Sequence, residues 1–159
     1  MARESGFSLI ELLIVVAIIL VISAIALPNF LKSRVAANES AAVTHIRTLS
    51  TAQIAYAQTY PTLGYTCSIS ALGPPAGGAP LDSTAAGIVD TVLASGTKQG
   101  YVFSFRGCAG MPRVSYNSTA VPQSSGTGVR AFCSNATGII SYAQDGTAGT
   151  CQTSGTVLR

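Results

Sequence analysis

Residues 7–27, FSLIELLIVVAIILVISAIAL, form a run of 21 residues in which only Ser8, Glu11 and Ser23 are polar. As a helix rising 1.5 Å per residue it is about 30 Å long, the thickness of the hydrocarbon core of a bilayer. A chain with such a segment can span a membrane, and a small domain has no room to bury it. A cleaved secretory signal is the competing reading of an apolar N-terminus. Against it, the run is longer than the usual apolar core of a signal, a carboxylate sits inside it, and helical sequence continues beyond it without a small-residue cleavage site. Arg3 lies before the run beside Glu4, and Lys32 and Arg34 follow it, so counting positive charges does not orient the segment.

From Asn29 to about Tyr60 the chain contains neither Gly nor Pro. Val35, Ala42, Ile46, Leu49, Tyr56 and Tyr60 recur at intervals of three, four or seven, with Gln53 on the same line, which marks one helical face. Pro61 and Gly64 end the pattern, because proline disfavours helix in the residue before it and glycine suits the exit. The two stretches together predict one helix of about 54 residues, on the order of 80 Å long, apolar in its first half and amphipathic in its second.

Beyond the helix, Gly64, Gly73, Pro74-Pro75, Gly77-Gly78 and Pro80 punctuate an irregular connection. Within it, Asp82 or Ser83 is expected to cap a short helix running through Leu93, with Gly96 as its stop. The period then becomes two. Tyr101, Phe103 and Phe105 alternate with Val102, Ser104 and Arg106, Val114 and Tyr116 with Ser115 and Asn117, and short runs follow at 129–133 and 139–143. Four strands in succession predict an antiparallel sheet, with the 101/103/105 aromatic line facing the amphipathic helix as core. The fold class expected is α+β: one long N-terminal helix packed on a small antiparallel sheet.

Charged residues make up only 9% of the 159, and the net charge of +3 is scattered as single side chains without a basic stripe. Direct nucleic-acid binding is not expected. Cys67, Cys108, Cys133 and Cys151 are widely spaced, and His45 is the sole histidine, so disulfides fit better than a metal site and point to an oxidising compartment. Of three connectivities, the one expected is Cys67–Cys108, tying the loop after the helix to the end of the first strand, with Cys133–Cys151 closing a loop around the last hairpin. Catalysis is not expected. His45 belongs to the helix, and past residue 40 the carboxylates are Asp82, Asp90 and Asp145, too scattered for a paired acid–base site. Gly77-Gly78 lacks the lysine of a phosphate loop, and no cofactor is expected.

Gly6-Phe7-Ser8-Leu9-Ile10-Glu11 followed by LLIVVAIILVISAIALPNF resembles the leader junction and N-terminal helix of type IV prepilins and the related pseudopilins. The resemblance covers residues 1–60 and, in outline, the head. It implies a leader, residues 1–6, cut between Gly6 and Phe7 by a prepilin peptidase on the cytoplasmic face, and N-methylation of Phe7. It also implies an inner-membrane precursor with its head in the periplasm, later extracted into an extracellular filament by an assembly platform and motor. The domains expected are thus a leader at 1–6, a transmembrane and polymerisation helix at 7–28, its amphipathic continuation at 29–61 and a head at 62–159.

An ionisable group inside a membrane segment is costly and marks function. In the family the residue matching Glu11 pairs with the terminal amine of a neighbouring subunit, which sets axial register; here that amine is on Phe7. Many members carry a glycine ahead of the proline, whereas this chain has none between Gly6 and Gly64, leaving Pro28 to kink the helix. Three functions follow: a type IV pilus subunit, a pseudopilin of a type II secretion system, or a membrane-anchored binding module that never polymerises. Major pseudopilins hold calcium in the C-terminal loop of the head. In this chain only Asp145 offers a carboxylate side chain beyond residue 90, and a disulfide is expected to lock that region, which favours the pilus.

Overall fold

Helix α1 spans Leu9–Thr59 in the computed structural model, which describes residues 8–158. It continues through Pro28, whose ring nitrogen has no hydrogen for the Ala24 carbonyl. The chain divides into two units, Met1–Arg34 and Val35–Arg159. In the first, every described residue is exposed except the partly covered Ser23.

In the second unit the face predicted for the helix meets the sheet. Ala42, Ile46, Leu49, Gln53 and Tyr56 are buried, joined by Ala52 and Glu39, while Val35 and Tyr60 are half-covered at the two ends. Just past the end of the helix a turn closes in which Leu63 and Gly64 both donate to the Tyr60 carbonyl. Gly64 adopts φ +72°, a conformation side chains rarely take, and packs directly against the Arg113 backbone.

Six antiparallel strands follow in chain order: β1 (Thr97–Lys98), β2 (Tyr101–Arg106), β3 (Asn117–Pro122), β4 (Ala131–Asn135), β5 (Ile140–Ala143) and β6 (Thr156–Val157). The alternation along β2 turns Tyr101, Phe103 and Phe105 into the core. Register puts Ala120 between Phe103 and Phe132, so a small residue separates two rings across the sheet and the row interdigitates with α1. On the opposite face Cys133 and Ala143 pack with Cys151 of α3 (Ala148–Ser154) as a second, smaller core.

Three sequence expectations are corrected. The helix placed between Asp82 and Leu93 is a single turn, α2 (Thr91–Ala94), capped by Asp90, which accepts from Val92 and Leu93. Residues 86–89 instead donate their N–H groups to the carbonyls of Ala71, Leu72 and Gly73, and Asp82 closes a turn with Thr84 and Ala85. The second strand begins at Asn117, not Val114, because Val114 is 75% exposed and its segment is drawn to the 63–65 loop by Arg113. Tyr116 is still buried, edge-on to Phe105. Finally, the sheet has six strands, since the two-residue edges β1 and β6 are too short to show periodicity.

Candidate assembly surface

Among the described residues of the first unit, the large apolar side chains from Leu9 to Leu31 are exposed. Full burial of one such side chain is worth roughly 1.5–3 kcal/mol, so a surface this large in water is far from stable. Such a surface suits lipid or other apolar helices. Along one flank Leu13, Ile14, Ala17, Ile18, Val21 and Ile22 line a shallow groove of about 340 Å³, with Ala17 as the low point between larger neighbours. Small residues at such positions let another helix approach closely.

Glu11 lies in the first turn of α1. Its Oε2 accepts from the Ser8 N–H at 3.3 Å, and Ser8, just before the first helical residue, accepts through its carbonyl from Leu12. This is one half of a capping box, in which a glutamate three residues into a helix returns to the capping residue's N–H. The signal for it in the sequence is the spacing Ser8-x-x-Glu11. Gly6 and Phe7, the expected cleavage and methylation positions, lie outside the described residues. Pro28 lies within α1, where the next residue, Asn29, donates from its side chain to the Ile25 carbonyl at 3.2 Å.

In the second unit the outward side of α1 carries the exposed Arg47 and Ile54 among small hydroxyl side chains that are satisfied within the helix. Thr44, Thr48 and Thr51 donate their hydroxyls to the carbonyls of Ser40, Thr44 and Arg47, each at 3.1 Å. A groove of about 300 Å³ lined by Ala36, Ser40, Thr44 and Phe132 together with the charged Glu39, Arg47 and Arg130 runs beside this side, and another of about 280 Å³ lies at Thr48, Thr51, Ala55 and Ile88.

Two polar pins that the apolar pattern hid hold the head to the helix. Glu39, 6% exposed, accepts from the Val129 and Arg130 N–H groups at 3.0 Å and pairs with the Arg130 guanidinium at 2.7 Å. Burial pushes its carboxyl up, but those N–H groups and the guanidinium outweigh it and hold the pKa below the usual value. Gln53 is fully buried; its amide nitrogen donates to the Thr66 carbonyl at 2.6 Å and its oxygen accepts from the Thr66 N–H at 2.9 Å. The signal available for both was a long polar side chain on an otherwise apolar line.

Two disulfides complete the head. Cys67 joins Cys108, with Cα atoms 6.0 Å apart, and Cys133 joins Cys151 at 5.9 Å. Asp145, in the loop before α3, accepts from the Thr147 N–H at 3.0 Å and from the Thr147 and Thr150 hydroxyls at 2.9 and 2.6 Å. His45 contacts Gln99 at 2.9 Å and sits edge-on to Phe103, a packing role.

Residues 1–27 match the prokaryotic N-terminal methylation motif. Over 51 residues the chain is 53% identical to the type IV major pilin protein PilA of Myxococcus xanthus (strain DK1622), a match covering 32% of this chain and 23% of that protein. No solved structure matches the chain significantly.

Proposed function

From a chain whose N-terminal segment carries the prepilin methylation motif, we propose a structural subunit of a type IV pilus. The observation that carries this reading is the exposed apolar helix of the first unit with Glu11 in its first turn. The precursor sits in the inner membrane with residues 1–6 in the cytoplasm and the head in the periplasm. A prepilin peptidase cuts between Gly6 and Phe7 and methylates Phe7. Removal of the leader gives Phe7 a free amine, and the Glu11 carboxylate leaves its own Ser8 N–H to pair with that amine on a neighbouring copy. A subunit docked at the wrong height leaves both charges unpaired in an apolar bundle, which sets axial register. An assembly platform and cytoplasmic motor supply the work of extraction.

The pilus is favoured over a type II secretion pseudopilin by the C-terminal region. The Cys133–Cys151 bridge locks it covalently, and Asp145 is engaged by its own turn, whereas a calcium site wants six to eight oxygens with several carboxylates. The test is to shear cells and sequence the fibres. Fibres built of a chain that begins at N-methylated Phe7 are the expected result. A mature chain starting elsewhere would sink the leader assignment, and subunits retained in the envelope that lose stability on calcium chelation would reverse the choice toward the pseudopilin.

A further inference from the structure

We propose that Lys32 and Arg34 are a clamp for the headgroups of anionic phospholipids, holding the precursor at a set depth in the leaflet beside its head. This rests on the membrane-anchored reading of the first unit. The exposed apolar stretch ends at Leu31, and the next three residues, Lys32, Ser33 and Arg34, are all exposed. Ion pairs among the described residues are Lys98–Asp90 and Arg130–Glu39, so neither cation is engaged in one. Nor does the helix offer an acidic residue three or four positions from either; the nearest, Glu39, is already held by Arg130.

Spacing favours lipid over a protein partner. Two residues of separation set the side chains about 200° apart around a helix. A single neighbouring helix or loop meets one side, while a headgroup layer surrounds the helix and meets both at one level. Depth agrees. Twenty-one positions separate Glu11 from Lys32, about 31 Å of helix, against a hydrocarbon core of about 30 Å. With the cations in one headgroup layer, the Glu11 carboxylate reaches the opposite boundary, where the leader is cut and the new amine appears. The charge chemistry requires an anionic headgroup, such as phosphatidylglycerol, and gives a neutral one no comparable preference.

The chain contains no tryptophan, so Phe30→Trp in the full chain provides a single reporter two residues before Lys32. It would be reconstituted in phosphatidylcholine vesicles containing equal fractions of dibrominated phosphatidylglycerol or dibrominated phosphatidylcholine, and its quenching by each compared. The expected result is preferential quenching by the anionic lipid, with a relative binding constant rising about fivefold for each basic residue. That preference should vanish in 1 M salt and in the Lys32→Gln/Arg34→Gln background. Equal quenching by both lipids would overturn the clamp, leave the membrane anchor standing and point to an acidic protein partner. A preference that survives in the double variant would also overturn it. Absence of quenching by either lipid would sink the anchored reading itself.

Discussion

The Arg130 guanidinium meets the Glu39 carboxylate at 2.7 Å across 91 positions of sequence, joining the head's β3–β4 loop to the amphipathic part of the helix. Glu39 is buried while the Arg130 side chain keeps 35% of its surface in water and lies over the Phe132 and Tyr142 rings. Asn38 adds a bond to the Thr127 carbonyl at 2.9 Å, and Tyr101 donates to the Arg130 carbonyl at the same distance. Gly128 packs against the Tyr101 ring so closely that a Cβ would collide with it.

Glu39→Ala strands two backbone N–H groups, and it should destabilise the head by about 2–4 kcal/mol. Arg130→Ala leaves those N–H bonds to the carboxylate, so its cost should be smaller, about 1–2 kcal/mol. Urea unfolding of the two variants checks the order; equal losses would show that the ion pair, rather than the backbone contacts, dominates.

The lowered pKa of Glu39 has a sign that can be measured. Above the unfolded value, near pH 4.3, its contribution is complete; below that, the unfolded chain binds the proton first and stability falls until the folded carboxyl is also protonated. Asp82, Asp90 and Asp145 are lowered as well, chiefly by a Thr84, a Lys98 and a Thr150 side-chain bond respectively, so acid sensitivity is shared. Glu39→Gln should therefore reduce, without abolishing, the fall in melting temperature below about pH 4.3.

Gln53→Leu keeps the buried volume near that of glutamine but removes both partners of Thr66. A loss of about 2–3 kcal/mol is expected, together with faster proteolysis in residues 62–68. Unchanged proteolysis would mean that the Cys67–Cys108 bridge alone holds that loop.

The bridges close separations of 18 and 41 residues, and chain entropy assigns them about 3 and 4 kcal/mol. Cys133→Ser/Cys151→Ser should lower the melting temperature of the head, while chelation of calcium should leave the parent unchanged. Non-reducing peptide mapping provides the check on pairing.

Glu11→Ala keeps the segment apolar and should insert normally, yet under the proposed pairing of Glu11 with the Phe7 amine it should reduce filament yield. Normal filaments from this variant would reduce Glu11 to a helix cap for Ser8.

The long helix and its two kinds of face were legible because both rest on local periodicity. The run Leu9–Leu31 states by composition alone that water is the wrong surroundings, and Ala42, Ile46, Leu49 and Tyr56 mark one stripe at helical spacing. The same holds for the Tyr101-Phe103-Phe105 alternation. Tertiary structure decided what periodicity cannot carry. Asp82 and Asp90 are equally good caps in sequence, and only the pairing of residues 86–89 with the 71–73 backbone commits the first to a turn and leaves the helix to the second. Likewise, Gln53 lies on the apolar line and Glu39 continues it, but only Arg130 and Thr66, brought from 91 and 13 residues away, show how these polar side chains are satisfied. A buried polar group is stable only when its partner arrives, and that partner's position is a property of the folded chain rather than of the local sequence.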